Sequence, residues 1–327
     1  MTPDIINQLQ GKAVAITGAS GYIGSSIVNK LTENSVRTIR VCRKKIPKID
    51  GVKDIFADVR NDEIWNEIVE QSDIIVCLAG NTSVYAAEGN IEESLTSSLL
   101  PINNLILAAK NSNKVPRVVF ASTATVYGMT DKLPVSETAK LNPITIYDLH
   151  KVFAEQQLEM ASRQGFISSA SLRLANVYGP SLAQSSSRDR GVINKIARDS
   201  MLGKDLQVFG DGEFIRDYVF IDDVVSAFLY AACSKNVDGR SFNISSGIGH
   251  TIKEVFELIA NKSSEVIGKK VNVNFIPMPK DVSPIEYRNY IGDSSLFHSV
   301  TEWSSKVSLQ AGVDSLIGVF QEEVQYG

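Results

Sequence analysis

The stretch that decides the fold lies near the start of the chain and reads Ala13-Val-Ala-Ile-Thr17, then Gly18-Ala-Ser-Gly21-Tyr-Ile-Gly24. The apolar run predicts a buried strand, and the amphipathic pattern that begins at residue 22 predicts a helix. Glycines between a strand and a helix permit a tight turn and bring backbone N–H groups close to an anion. The sequence therefore predicts a phosphate-binding turn of the kind that holds a dinucleotide.

Apolar runs and helical patterns alternate over the first half of the chain. We predict strands over residues 13–17, 38–42, 54–58, 74–79, 117–122 and 168–175, and helices over 22–33, 61–70, 92–112 and 147–163. Pro101 predicts a kink or a break in the third of these helices. Nearly continuous apolar strands separated by helices indicate a parallel sheet covered on both faces. The pattern therefore predicts an α/β fold with a Rossmann-type, doubly wound parallel sheet.

The alternation becomes looser after Gly179-Pro180. The serine-rich segment 181–187 predicts a loop, and residues 191–202 predict an amphipathic helix. Further elements at 251–261 and 271–277 mix a second lobe with returns to the first. We expect residues 1–178 to form a dinucleotide-binding domain, with returns near 217–250. Residues 179–327 are expected to form mainly a smaller α/β lobe that binds the substrate.

Composition excludes several classes of partner. The 327 residues carry a net charge of −4 and no long basic run, so we expect neither nucleic acid nor an anionic membrane surface as a partner. Three widely spaced cysteines, Cys42, Cys77 and Cys233, are read as buried thiols in a reducing compartment. The first ten residues lack a secretory apolar region, and no apolar run is long enough to span a bilayer. We therefore expect a cytoplasmic protein without a metal ion.

A second informative segment is Tyr147-Asp-Leu-His-Lys151. It spaces a phenol and an ammonium four residues apart, hence on one face of a helix. A nearby ammonium favours the phenolate, which makes a tyrosine usable as an acid/base near neutral pH. Taken alone, the pair also fits an exposed helical face. Combined with a dinucleotide turn, it predicts redox chemistry on an alcohol or a ketone.

The residues that follow each strand are the next candidates, because open α/β sheets bind ligands beyond the carboxyl ends of their strands. Arg43-Lys44-Lys45 stands where a carboxylate usually accepts the ribose hydroxyls of NAD. Arg43 can pair with a 2′-phosphate, and the alternative is a solvated basic loop. Asp58-Val59 offers an acceptor for an adenine amino group, or an N-cap for the next helix. Small residues in Leu78-Ala79-Gly80-Asn81 let a nicotinamide ribose lie against the backbone.

The later motifs complete a resemblance to a known family. They are Ser-Thr-Ala-Thr-Val-Tyr-Gly at 122–128, Leu-Arg-Leu-Ala-Asn-Val-Tyr-Gly-Pro at 172–180, and the run from Gly210 to Val224 that contains Gly-Asp-Gly-Glu-Phe-Ile-Arg-Asp. Together with the glycine turn and Tyr147/Lys151, they make the chain resemble an extended short-chain dehydrogenase/reductase of the nucleotide-sugar epimerase/dehydratase family. The resemblance covers essentially the whole length.

The resemblance implies roles for individual residues. Tyr147 is the implied acid/base at the sugar C4 hydroxyl, Lys151 binds the nicotinamide ribose and stabilises the phenolate, and Thr123 lies beside the tyrosine. The expected cofactor contacts are Gly18, Ser20, Gly21, Tyr22, Ile23, Gly24, Arg43, Asp58, Val59, Leu78, Ala79, Gly80, Tyr147 and Lys151. The expected substrate contacts are Asn81, Thr123, Asn176, Arg216 and Arg288, with the two arginines on the nucleotide diphosphate. For Arg216, an ion pair with Asp217 or Asp222 is the structural alternative. Relatives commonly pair through the helices that contain Glu92 and Tyr147, so we expect a homodimer.

Two departures from the family's pattern and one match to it bear on which reaction the chain catalyses. The positions after Thr123 are Ala124 and Thr125, where 4,6-dehydratases carry acidic residues, so we do not expect a dehydratase. His150 replaces the usual Ser or Thr before Lys151. The run 124–128 matches the UDP-galactose 4-epimerases and favours a C4 epimerase of a nucleotide-diphosphate hexose. Arg43 favours the alternative, an NADPH-dependent 4-ketoreductase. A non-catalytic NADP sensor is the third hypothesis, and the cofactor is NADP(H) or NAD(H).

Overall fold

A computed structural model describes residues 3–81, 83–183 and 191–326. The strands are β1 (Ala13–Thr17), β2 (Arg37–Cys42), β3 (Lys53–Phe56), β4 (Ile74–Cys77), β5 (Arg117–Thr123), β6 (Ser168–Leu174), β7 (Asn176–Tyr178), β8 (Leu206–Phe209), β9 (Ile215–Phe220), β10 (Arg240–Ile244), β11 (Gly249–Thr251) and β12 (Val273–Ile276). The helices are α1 (Pro3–Leu9), α2 (Tyr22–Glu33), α3 (Glu63–Gln71), α4 (Val84–Gly89), α5 (Ile91–Asn111), α6 (Ile146–Arg163), α7 (Val192–Met201), α8 (Ile221–Cys233), α9 (Ile252–Ile267), α10 (Ser295–Thr301) and α11 (Leu309–Tyr326). Short 3₁₀ turns cover Ala124–Tyr127 and Pro284–Tyr287. Residues 184–187 of the predicted serine-rich loop lie outside this description.

The main sheet confirms the predicted fold class. Among the described residues it has seven parallel strands in the order β10-β6-β5-β4-β1-β2-β3. Alternate side chains of β1 enter different cores, because Val14 and Ile16 pack on one face of the sheet while Ala13 and Ala15 pack on the other. Both faces are therefore covered by helices, which explains why the strand sequences are apolar throughout.

The second half of the chain adds smaller sheets and then returns. The described residues form a three-stranded sheet, β11-β9-β7, and a two-stranded sheet, β12-β8. Helices α7, α9 and α11 pack against one another beside them. Strand β10 goes back to the main sheet, where it pairs with β6 at the edge. The division of the chain near residue 178 remains a proposal.

Helix α5 corrects one prediction. It runs unbroken from Ile91 to Asn111 with Pro101 buried inside it, so the predicted break is wrong, and the alternative of a kink stays a prediction. The helix packs against α3 and α6, and this tertiary packing offsets the backbone hydrogen bond that a proline cannot donate. Within the described ranges, no helix combines the length and the apolar character needed to cross a membrane.

Candidate active site

A cleft of about 1050 Å³ lies between the carboxyl edge of the main sheet and the second lobe. Its walls include the glycine turn after β1, the end of β5, the first turns of α6 and parts of β7, β9 and the segment before residue 288. A volume at the upper end of the range for small-molecule sites suits two ligands that meet inside one cleft. The strand ends therefore converge as the sheet topology predicts.

The glycine turn is shaped for close approach. Gly18 has a φ of 67°, and a Cβ placed on Gly24 would lie 2.3 Å from the carbonyl oxygen of Gly18. Helix α2 begins at Tyr22, and its N-cap Gly21 forms no side-chain cap. The first N–H groups of the helix therefore remain available to an anion, and the helix dipole favours one there. The turn fits the pyrophosphate of a dinucleotide.

Tyr22 connects this turn to the second wall of the cleft. Its hydroxyl donates to the carbonyl oxygen of Gly179 at 2.9 Å, and the same oxygen accepts from Asn194 Nδ2 at 2.8 Å. Gly21, Tyr22, Ile23 and Gly24 line the cleft. Sequence reasoning placed Tyr22 among the cofactor contacts but did not anticipate its bond to the end of β7.

Strand β5 and helix α6 bring the predicted catalytic residues together. Thr123, Tyr147 and Lys151 all line the cleft. Lys151 Nζ donates to the Ala121 carbonyl oxygen at 2.8 Å and lies 5.7 Å from the centroid of the Tyr147 ring. Thr123 Oγ1 lies 2.9 Å from Thr125 Oγ1 and accepts from the Thr125 N–H at 3.2 Å. A hydroxyl, a phenol and an ammonium thus share one part of the cleft, which is the arrangement that acid/base chemistry at an alcohol requires.

His150 lies in a different environment from Tyr147 and Lys151 on the same helix. It is buried, and its Nδ1 lies 3.0 Å from the hydroxyl of Ser94 on α5. Burial lowers the pKa of His150, so the ring is neutral near neutral pH. Its role in this position is to join α6 to α5.

Two buried arginines form another wall. Arg216 on β9 and Arg288 after the second 3₁₀ turn are 4% and 8% exposed. Arg216 donates to the carbonyl oxygens of Arg288 and of Glu286, the latter at 2.6 Å, and its nearest carboxylate oxygen, on Glu286, is 4.0 Å away. Arg288 Nη1 donates to the Ile285 carbonyl oxygen at 3.0 Å, whereas its Nε has no partner among the described residues. Neither Asp217 nor Asp222 pairs with Arg216 in the described structure, and Asp217 accepts instead from Ser246, Gly247 and Gly292.

The charge of this arginine pair is only partly balanced by the described residues, because the nearest Glu286 carboxylate oxygen is 4.0 Å from Arg216 and that side chain is partly exposed. Burial and then the neighbouring Arg288 lower the pKa of Arg216 to about 10. Burial also lowers the pKa of Arg288. Two buried guanidinium groups whose combined charge is only partly offset fit a ligand with two adjacent anionic groups, and a diphosphate is such a ligand.

The remaining predicted contacts divide into two groups. Asn176 on β7 and Leu78 line the cleft, and Ala79 N–H donates to Thr17 Oγ1 at 3.2 Å, which fixes the backbone before Gly80. Asn81 does not line the cleft that the described residues form, and its Oδ1 accepts from the Ser83 N–H at 3.0 Å. The substrate role predicted for Asn81 stays a prediction.

The end of β2 has the predicted residue order. Arg43 is the first residue after the strand and is exposed, and Ser20 lies beside the Cys42 thiol. Val59 is buried, and the Asp58 carboxylate accepts from the Arg60 backbone and from its Nε and Nη2 at 2.9, 3.0 and 2.7 Å. The bond from Arg60 lowers the pKa of Asp58, and the charge of Arg43 contributes to the same shift. Arg60 was missed by sequence reasoning, although it lies two residues after Asp58.

Comparison with known proteins agrees with this geometry. The model of the NAD dependent epimerase/dehydratase family matches residues 14–245. The chain belongs to this family. It is an NAD(P)-dependent enzyme, and the glycine turn and the Tyr147/Lys151 pair lie inside the matched region.

Individual relatives resemble the chain over nearly its full length. A UDP-glucose 4-epimerase of Mycolicibacterium smegmatis is 26% identical over 95% of this chain and 99% of the relative. A dTDP-4-dehydro-6-deoxyglucose reductase of Escherichia coli is 28% identical over 93% of this chain and 96% of the relative. The crystal structure of a Thermotoga maritima UDP-glucose 4-epimerase with UDP-glucose superposes with a TM-score of 0.84 and 28% identity, over 95% of this chain and 99% of that one.

Proposed function

We propose that the protein is a C4 epimerase of a nucleoside-diphosphate hexose. The observation that carries the proposal is that the Thr123, Tyr147 and Lys151 side chains line the same cleft as the arginine pair and the glycine turn. Ala124 and Thr125 supply no carboxylate for the elimination of water, which argues against a dehydratase. Two relatives that are UDP-glucose 4-epimerases by name support an epimerase.

Each part of the cleft then has a task. The glycine turn and the N-terminus of α2 hold the dinucleotide, and when bound, its nicotinamide supplies reversible hydride transfer at the sugar C4. Tyr147 as the phenolate takes the C4 hydroxyl proton during oxidation and returns it from the phenol during reduction, and the Lys151 ammonium stabilises the phenolate that is present before and after these two steps. Thr123 binds the same sugar oxygen. Arg216 and Arg288 hold the diphosphate, so that the 4-keto sugar can turn while the nucleotide stays bound.

The second candidate is a 4-ketoreductase that uses NADPH. The observation in its favour is Arg43, which stands exposed at the end of β2 where a 2′-phosphate is expected, and the Escherichia coli reductase is a relative of this type by name. We also propose that Arg43 makes the site prefer NADP(H) to NAD(H).

The two candidates are separated by the stoichiometry of the cofactor. The purified protein is denatured and the released nucleotides are identified, and the native protein is incubated with UDP-glucose without added cofactor. An epimerase releases tightly held dinucleotide and forms UDP-galactose. A ketoreductase forms none, and instead consumes NADPH in step with a 4-keto-6-deoxy nucleotide sugar, which would overturn the epimerase assignment.

We further propose a homodimer through α5 and α6. Leu100 and Leu107 on α5 are exposed at a spacing of seven residues, and Phe153 and Met160 on α6 are exposed at the same spacing. Because the two helices pack side by side, these side chains form an apolar face that a second copy can cover. Sedimentation of wild type and Leu107→Glu tests the proposal, since the variant is expected to be monomeric.

A further inference from the structure

Two side chains from two walls of the cleft hold one peptide group just after β7. Asn194, in the first turn of α7, accepts from the Gly179 N–H through Oδ1 at 3.0 Å and donates to the Gly179 carbonyl oxygen through Nδ2 at 2.8 Å. The Tyr22 hydroxyl donates to the same oxygen at 2.9 Å. Both side chains are buried, so water does not compete for these bonds.

These bonds join two parts of the cleft that have different tasks in the proposed function. Tyr22 begins α2, whose N-terminus fits the pyrophosphate of the dinucleotide. Strand β7, which carries Asn176, and the first two turns of α7, which carry Ile193 and Ile196, line the same cleft. We call β7 and these two turns the substrate wall. Gly179 lies 157 positions from Tyr22 along the chain, so the Tyr22 hydroxyl links the substrate wall to the glycine turn over a long range.

The Tyr22 hydroxyl is a donor and not a second acid/base group. Burial is the largest influence on the pKa of Tyr22 and raises it, so the phenol stays protonated. Its proton is directed at the Gly179 carbonyl oxygen, whereas the Tyr147 ring lies near the Lys151 ammonium. A phenol that always donates to a backbone oxygen can fix a distance between two elements, but it cannot exchange a proton with a substrate.

We propose that Tyr22 is a positioning residue that keeps the substrate wall in register with the bound dinucleotide. The assignment rests on the proposed function of the cleft. Hydride transfer requires the nicotinamide and the sugar C4 to be held in one geometry, and a displacement of about 1 Å can cost on the order of 100-fold in rate. The start of α2 holds one reactant and the substrate wall contributes to holding the other. The bond from Tyr22 to Gly179, continued by Asn194, fixes these two holders relative to each other.

Tyr178 provides a matched control for the hydroxyl. It precedes Gly179 and is also buried, and its hydroxyl lies 3.2 Å from the Ser308 carbonyl oxygen and 3.4 Å from that of Leu309. Its bond therefore joins β7 to the start of α11 and not to the glycine turn. Tyr22→Phe and Tyr178→Phe each remove one phenol hydrogen bond to the backbone and keep the ring. We expect the melting temperature to fall by a similar amount in both variants.

Steady-state kinetics separate the two phenols. In Tyr22→Phe we expect kcat with UDP-glucose to fall about three- to tenfold, the size of one hydrogen bond, while the affinity for UDP stays within about twofold of wild type. The reason is that the lost bond goes to Gly179, so the relative placement of the ligands changes rather than their contacts. In Tyr178→Phe, kcat should stay within about twofold. The proposal is wrong if kcat falls equally in both variants, or if Tyr22→Phe turns over at the rate of wild type.

Hydrogen exchange separates this inference from the proposed function, because it needs no turnover. Peptides that cover Tyr22–Glu33 and Val192–Met201 report the two ends of the link. We expect saturating NADPH or NADH to raise amide protection in both helices of wild type and of Tyr178→Phe, but only in α2 of Tyr22→Phe. The inference is overturned if the dinucleotide leaves α7 of wild type unchanged, or protects α7 equally in Tyr22→Phe. If α7 responds as expected and UDP-glucose is not converted, the epimerase fails and the link between the two walls stands.

Discussion

Arginines are buried in two regions of this molecule, and their partners differ. On strand β6 of the main sheet, Arg173 is 6% exposed and binds Glu155 through Nε at 3.0 Å and through Nη2 at 2.6 Å, while its Nη1 donates to the Tyr127 hydroxyl at 2.9 Å. In the cleft, Arg216 and Arg288 are buried to a similar degree and donate to backbone carbonyl oxygens. An arginine that binds a buried carboxylate directly serves the fold, whereas two buried arginines whose nearest carboxylate oxygen is 4.0 Å away fit an anionic ligand.

The titration behaviour of the two regions follows from this difference. Burial by itself lowers the pKa of Arg173, but the bonds to Glu155 outweigh burial and raise it. For Arg216, burial and the charge of Arg288 act in the same direction and lower the pKa to about 10. The first arginine is stabilised in its charged form by the protein, and the second is charged at a cost to the protein.

The largest expected effect concerns the structural arginine. Arg173→Met leaves the buried Glu155 with hydrogen bonds from Ser122 and Ser241 but without a counter-ion, so we expect the free energy of unfolding to fall by about 3–5 kcal/mol. Arg216→Met is the matched control, because the carboxylate nearest to Arg216 is partly exposed and 4.0 Å away, and the stability of this variant should stay within about 1 kcal/mol of wild type. Urea unfolding measures both variants. Equal losses in the two would remove the distinction between the regions.

Binding of the nucleotide should depend on the arginine in the cleft rather than on the arginine in the main sheet. Arg216→Ala is expected to weaken the binding of UDP by roughly 2–5 kcal/mol, because a desolvated charge pair between the arginine and the diphosphate is lost. Dinucleotide affinity should hardly change, since the glycine turn lies in another part of the cleft. Calorimetric titrations with UDP and with dTDP measure the effect, and unchanged affinity for both would return Arg216 to a structural role.

The acid/base end of the cleft should show a loss of rate without a loss of binding. Tyr147→Phe keeps the ring and its packing but removes the transferable proton, so turnover is expected to fall at least ~10²-fold. UDP affinity and the melting temperature serve as controls and should match wild type. Turnover within a few-fold of wild type would exclude Tyr147 as the acid/base.

Cofactor choice extends the comparison to an exposed arginine. Arg43 is exposed, and no hydrogen bond or ion pair of its side chain is found among the described residues, so the effect of replacing it should depend mainly on the ligand. Arg43→Asp is expected to shift the ratio of NADP(H) to NAD(H) affinity by about ten- to a hundredfold, the size of one charge-assisted bond. Fluorescence titration with both reduced cofactors decides the matter. A wild type that prefers NADH would make Arg43 a solvated loop residue.

The smallest effect concerns His150, which is buried and neutral. Its pKa is lowered by burial in the folded state, so the unfolded chain binds a proton first as the pH falls. The resulting stability is complete above the ordinary histidine pKa of about 6.5 and is lost as the pH falls through the lowered value. Replacing the ring by Asn should remove up to about 1 kcal/mol of this dependence. Thermal unfolding of wild type and His150→Asn at neutral and mildly acidic pH measures it, and parallel curves would contradict it.

Sequence patterns predicted the main sheet because its determinants are local. The apolar runs located β1, β2, β5 and β6 to within a residue or two, and Arg43 lies directly after β2 as predicted. Strand β3 ends at Phe56, two residues before the predicted end, because a strand end depends on its pairing with β2. The helix that contains Tyr147 begins one residue earlier than predicted, at Ile146, with Thr145 as its cap.

The second lobe and part of the site depend on contacts that are distant along the chain. Strand β8 pairs with β12, so that Leu206 lies beside Val273. The run 271–277, which contains β12, was singled out from the sequence, whereas the four residues of β8 were not. The bond from the Tyr22 hydroxyl to the Gly179 carbonyl oxygen was missed for the same reason, because the two residues are 157 positions apart along the chain.

The return of β10 to the main sheet has a consequence for the way this chain is made. Until Arg240–Ile244 has left the ribosome, the outer edge of β6 keeps its unpaired N–H and C=O groups. Translation of the intervening residues takes on the order of seconds, and an open strand edge in a nascent chain is prone to pair with other chains. A fragment that stops at residue 178 would keep that edge permanently. The enzyme should therefore reach its native state after translation of both lobes, as one cooperative unit.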